Sequence, residues 1–230
     1  EPVDDFRATN PPVNPALLEA LTADFVQSGF DLRHLIRTIC ASRVYQLDSE
    51  PNDSNADDEI NFARNLPRRL GAEQLLDSIH LAMGSTPSFE GYDKPIRAAR
   101  VPGVQAVYRP KKPTPAETFV HLFGKPPRLT NSDTERTYDT SLAHVFERTS
   151  GRSLNELLTR PENTLGALLK SGQKDAALIE TLYWTILTRP PTGYERTTTI
   201  EYLEGATQRR EALEDITWSL LNAKEFLLRR

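Results

Sequence analysis

The stretch Asp175–Glu195, DAALIETLYWTILTRPPTGYE, carries the plainest helical signal in the chain. Ala176, Leu178, Ile179, Leu182, Tyr183, Ile186 and Leu187 recur at the three-and-four spacing of one helix face. The helix has to end near Arg189, because Pro190 and Pro191 lack the N–H that would continue it and disfavour helical backbone just before them. Thr192 then supplies the hydroxyl of a cap for a further helix carrying Thr199, Ile200 and Leu203. A last helix is expected from about Arg209 to Leu228, with Leu213, Ile216, Trp218, Leu220, Leu221, Phe226 and Leu227 mostly inward.

The same signals recur upstream. Asn14-Pro15 is a cap followed by proline at the first helical position, and Leu17, Leu18, Leu21, Phe25 and Val26 follow at helical spacing until Gly29. Phe30 precedes the cap Asp31 as a staple, and Leu32, Leu35, Ile36, Ile39 and Cys40 form the stripe of a second helix running to about Tyr45, with Cys40 expected as a small buried hydrophobe. The two read as an antiparallel hairpin contributing to the core. A third helix lies between Gly71 and Gly84, with Leu75, Leu76, Ile79, His80 and Met83 on one side. Thr114-Pro115-Ala116-Glu117 is a capping box, opening a helix that Gly124 ends. Short helices are expected around Leu142–Arg148 and Leu154–Thr159.

Between these lie segments that cannot be helical. Asp48–Asp58 carries five acids among Ser, Asn and Pro and is expected as a solvated, mobile loop. Ser85–Pro113 holds five prolines and two glycines, and Val101, Val104 and Val107 beside Tyr108 allow at most a minor short strand pair. Pro126-Pro127 leads into an irregular stretch, Arg128–Thr140. The fold class is therefore all-α, an irregular multi-helix bundle with long Pro-rich loops. It divides into residues 1–84, 85–140 and 141–230, expected to form one compact unit. The opening EPVDDFRATNPP, Glu1–Pro12, reads as a piece cut from a larger polypeptide.

Composition narrows the chemistry. The chain has 230 residues, 38% hydrophobic and 26% charged, with a net charge of -4, so neither nucleic acid nor anionic lipid is an expected partner. No run is long and apolar enough to span a bilayer. Cys40 is the single cysteine, which excludes an internal disulfide, a multi-thiolate metal cage and a Cys-x-x-Cys-His haem attachment. His34, His80, His121 and His144 form no helical metal pair, and His144 with Glu147 would need distant help, so no metal or cofactor is expected. Gly-x-Ser-x-Gly and phosphate-binding glycine loops are absent.

Two clusters invite a binding reading. Lys94–Arg128 holds eight Lys or Arg (Lys94, Arg97, Arg100, Arg109, Lys111, Lys112, Lys125 and Arg128) against the single acid Glu117, with Tyr92 and Tyr108 available to stack on sugar. That asymmetry suits a solvated surface, a seam with an upstream domain, or a groove for an anionic glycan. Asp4 and Asp5 could work as an acid/base or metal pair, but adjacent carboxylates seldom converge on one point, and capping with pairing to Arg7 is the favoured reading.

PVDDFRATNPP, HLIRTICASRVYQL, NLPRRLGAEQLLDSI, FGKPPR and RREALEDITWSLLNAKEFLLRR occur in that order, and together they resemble the planctomycete family called domain of unknown function 1553. The resemblance covers essentially the whole chain. It implies the carboxy-terminal part of a large exported protein, periplasmic or at the cell surface, sometimes with a c-type cytochrome domain upstream. Relatives carry a Cys-x-Cys-x-Arg pattern after FGKPPR, where this chain has Ser132 and Thr134, retaining Arg136. A hydroxyl is a poor soft-metal ligand, so redox work inherited through those positions is disfavoured. The expectation is a non-catalytic helical structural or interaction module, partnered by upstream domains of its own polypeptide. The alternatives are an enzyme domain acting on an anionic polysaccharide, with Asp4, Asp5 and Arg136 in one pocket, and an accessory to the cytochrome domain.

Overall fold

The computed structural model describes residues 7–58, 60–101, 113–125, 147 and 151–229. They are mostly helical, with long non-helical stretches at 42–58, 60–67 and 83–97, and they divide into two compact units, one ending at Arg68 and the other Arg69–Arg229. In the first unit, Asn14 Oδ1 accepts the Leu17 N–H at 3.0 Å and starts α1 (Pro15–Gln27). α1 ends in a Schellman turn: the Gly29 N–H donates to the Val26 carbonyl, the Phe30 N–H donates to the Phe25 carbonyl, and the two phenyl rings meet edge to face at 5.5 Å. Asp31 then accepts the Arg33 and His34 amides at 2.8 and 3.2 Å and starts α2 (Leu32–Ala41).

Three expectations are corrected here. No residue of α1 or α2 is buried, and Cys40 is exposed, so this hairpin contributes nothing to a core. Two helices can cover each other only along one line, and a stripe wider than that line stays open. α2 also stops at Ala41 rather than near Tyr45, because Ser42 turns extended at ψ 147. The acidic segment that follows is exposed as expected and is built of turns. The Asp58 carboxylate accepts the Ile60, Asn61 and Ala63 amides, which holds its pKa down to about 2.

The second unit contains the hydrophobic core. β1 (Arg68–Arg69) leads into α3 (Ala72–Ala82), whose Leu75, Leu76, Ile79 and Ala82 are buried. Gly84, at φ 68, closes α3 with the Ser85 N–H donating to the His80 carbonyl at 2.8 Å. A residue with a Cβ would pay for that left-handed backbone. A single 3-10 turn, Ala98–Arg100, packs on α3, and α4 (Pro115–Leu122) follows with the capping box of Thr114 and Glu117 in place. From residue 151 on, the described helices are α5 (Arg152–Thr159), α6 (Thr164–Lys170), α7 (Asp175–Leu187), α8 (Gly193–Gly205), α9 (Arg209–Asn222) and α10 (Lys224–Leu227). α7 packs on α8 and α9, α9 on α5 and α6, and α4 on both α3 and α5.

The last helix is shorter than its pattern suggests, since Ala223 turns extended at ψ 142 and separates α9 from α10. Beyond α10, β2 (Leu228–Arg229) pairs with β1 in a ladder two residues long, and the Leu70 N–H donates to the Leu227 carbonyl at 3.0 Å. The strand expected near Tyr108 lies outside the described residues, and of the helix expected around Leu142–Arg148 only Glu147 is described, as helical. α6 has no counterpart in the sequence reading. Its Gly166 is required by close packing, because a Cβ there would sit 1.9 Å from the Pro161 carbonyl oxygen. The architecture is all-α.

Candidate functional site

Most residues singled out for chemistry in the sequence, namely Asp4, Asp5, Tyr108, Arg109, Lys111, Lys112 and Arg136, lie outside the described residues, as do Ser132 and Thr134. Lys94 and Arg100 are exposed in the second unit. Arg97 is drawn back to the protein, with its Nε 3.7 Å from Asp77 Oδ2. Asp77 itself is buried in α3 and was not singled out in the sequence. Its carboxylate accepts the Ala98 and Ala99 amides at 2.6 and 3.1 Å and so anchors the 3-10 turn to α3.

Other charged side chains of this unit are likewise engaged in structure. Thr188 ends α7 in the left-handed region at φ 58, and Arg189 follows it. The Arg189 guanidinium donates to Glu195 at 2.8 Å and to Glu225 at 2.8 and 2.9 Å, while lying 5.6 Å from the Tyr183 ring centre. That guanidinium, followed by the cap of α8, holds the Glu195 carboxyl at about 2, well below its usual range. Arg210 reaches from α9 to the end of α5, where Nη2 donates to the Leu158 and Arg160 carbonyls at 2.6 and 2.9 Å. Buried Asn163 donates to the Leu157 and Leu158 carbonyls and accepts the Gly166 N–H, so the carbonyl end of α5 is satisfied by side chains.

Within the same unit a cavity of about 190 Å³ opens between α3, α4 and α5. Leu76, Ile79, Phe119, Leu154 and Leu157 form its buried apolar wall. Thr86, Ser88 and Ser153 bring hydroxyls to it, and Glu156 and Arg160 bring charge. Leu76, Ile79 and His80 lie on one face of α3, and Ser153, Leu157 and Arg160 on one face of α5, which is why helical periodicity delivers both apolar and polar groups to one hollow. His80 Nδ1 is 2.8 Å from Ser85 Oγ, a contact made by the Schellman turn at Gly84. Burial, then the positive charge of Arg160, pushes the imidazole down to about 4, with Asp77 pulling the other way. His80 is therefore neutral at pH 7. In the sequence it stood out only as a histidine on an apolar stripe, and Arg160 carried no signal.

In the first unit, His34 Nε2 lies 2.9 Å from Asp24 Oδ2, joining α2 to α1. Among the described residues no three His, Cys, Asp or Glu side chains are grouped to hold a metal ion, and no helix is long and apolar enough to cross a membrane. No curated protein and no solved structure matches the chain. A family model does match, over residues 1–203, a span that takes in the hairpin, the cavity walls and α7. On that match the chain belongs to the family described as "Protein of unknown function (DUF1553)".

Proposed function

We propose that the chain is a non-catalytic helical interaction module of a larger exported polypeptide, docking through its α1–α2 hairpin onto another domain of that polypeptide. The observation that carries this reading is the state of the hairpin: neither helix buries a residue, yet Phe30, Leu32 and Ile36 are 65%, 64% and 60% exposed. Fully burying a side chain of this kind stabilises by about 1.5–3 kcal/mol, so a few of them suffice to drive docking. The charged clusters of the second unit support the same reading, since Asp77, Arg189 and Arg210 serve turns and helix ends. Export, and a place beside upstream domains or a cytochrome domain, follow from the resemblance alone. Action on an anionic polysaccharide ranks behind, because Arg97 in the basic segment faces Asp77.

Hydrogen exchange on this chain alone, and on the chain joined to the flanking domains of its polypeptide, tests the proposal. The α2 amides should exchange quickly in the isolated chain and about a hundredfold more slowly in the joined one. Equal protection of α2 in both would defeat the docking role.

A further inference from the structure

We propose that the cavity between α3, α4 and α5 is a binding site for a small apolar carboxylate, with its ring or chain between Leu76, Phe119 and Leu157 and its carboxylate on the Arg160 guanidinium. The site lies wholly in the second unit and does not depend on hairpin docking.

Size is the first argument. At about 190 Å³ the hollow exceeds the roughly 150 Å³ that is enough for a Leu-, Ile- and Phe-lined cavity to take up benzene, so a six-membered ring fits with room for a small head group. The wall chemistry is the second, because Leu76, Ile79, Phe119, Leu154 and Leu157 are each at most 5% exposed and offer carbon surface with no charge. Charge is the third. Arg160 ends α5 with its backbone carbonyl held by Arg210, while its guanidinium makes no ion pair among the described residues. Glu156, one turn earlier and also lining the cavity, is engaged in an interaction of its own. Arg160 and His80 both line the cavity, and a neutral His80 adds no second cation to blur the selection. A planar guanidinium suits a carboxylate in two-point contact.

The test uses benzoate as the probe and benzyl alcohol as its neutral counterpart, followed by methyl and imidazole NMR shifts of the whole chain. Benzoate should give saturable shifts at Ile79, Leu154, Leu157 and His80. It should bind about tenfold tighter than benzyl alcohol, as expected for a hydrogen-bonded charge pair. Arg160→Gln, at an exposed position whose backbone contacts are retained, should leave the spectrum folded and erase that tenfold preference. No saturable shift at the wall residues, equal binding of the alcohol, or a preference that survives Arg160→Gln would each overturn the proposal.

Discussion

At the scale of single residues, His80 carries the clearest consequence of burial. Its neighbours are Ser85 at Nδ1, Arg160 and Glu156 across the cavity, and Asp77 on its own helix. Well above pH 6.5 the imidazole is neutral in folded and unfolded chains alike and contributes no pH dependence. Below that, the unfolded chain takes up a proton that the folded one refuses until about pH 4, so stability falls as the pH drops through this window. One proton of difference corresponds to about 1.4 kcal/mol per pH unit. Denaturant unfolding of wild type and His80→Gln at a series of pH values should show the variant's curve flatter by up to that slope between pH 4 and 6.5. Parallel curves would mean that the folded imidazole titrates normally. The seat of His80 on an apolar stripe was legible in the sequence. Its coupling to Arg160 was not, because helical spacing says what faces inward and says nothing about which distant helix it meets.

At the scale of elements, caps are where sequence and structure agree most closely, since the bonds involved span three residues. The Asn14, Asp31, Thr114 and Thr192 side chains each accept a backbone amide of the helix they start. Thr114→Ala and Thr192→Ala should each destabilise the chain by about 1 kcal/mol in denaturant melts, and the pair should add to within about 0.5 kcal/mol, the two caps belonging to different helices. A double variant no weaker than one single variant would mean that the two caps are not independent supports. The elements missed were those set by partners far along the chain. α6 contains a glycine that reads as a weak helix position until the Pro161 carbonyl is seen against it. The break at Ala223 follows no proline or glycine, and it releases Phe226 and Leu227 into the core while Leu228 and Arg229 turn to strand. The left-handed Thr188 was equally hidden: a β-branched residue at φ 58 is unfavourable locally and is followed by the Arg189 bonds to Glu195 and Glu225.

Across the molecule, the described apolar residues fall into two populations that sequence periodicity cannot separate. Leu32 and Ile36 in the first unit recur at the same spacing as Leu178 and Leu182 in the second, yet the first pair is 64% and 60% exposed and the second pair 1% and 1%. The difference lies in how many elements surround each helix. α7 is enclosed by α8, α9 and α10, whereas within its own unit α2 packs on α1. Truncation should therefore have sharply unequal effects. Leu182→Ala and Leu213→Ala remove side chains with 1% and 0% exposure and should destabilise the second unit by about 2–5 kcal/mol, the cavity left behind adding to the lost transfer energy. Ile36→Ala changes a side chain already in solvent and should shift the same unfolding transition by no more than about 0.5 kcal/mol. Guanidinium melts of the three variants would check this, with the fluorescence of Trp184 and Trp218 reading the second unit and helix circular dichroism reading both units. A large loss in Ile36→Ala in the isolated chain would show that the face of α2 is already packed there, and the surface on which the docking proposal rests would be gone.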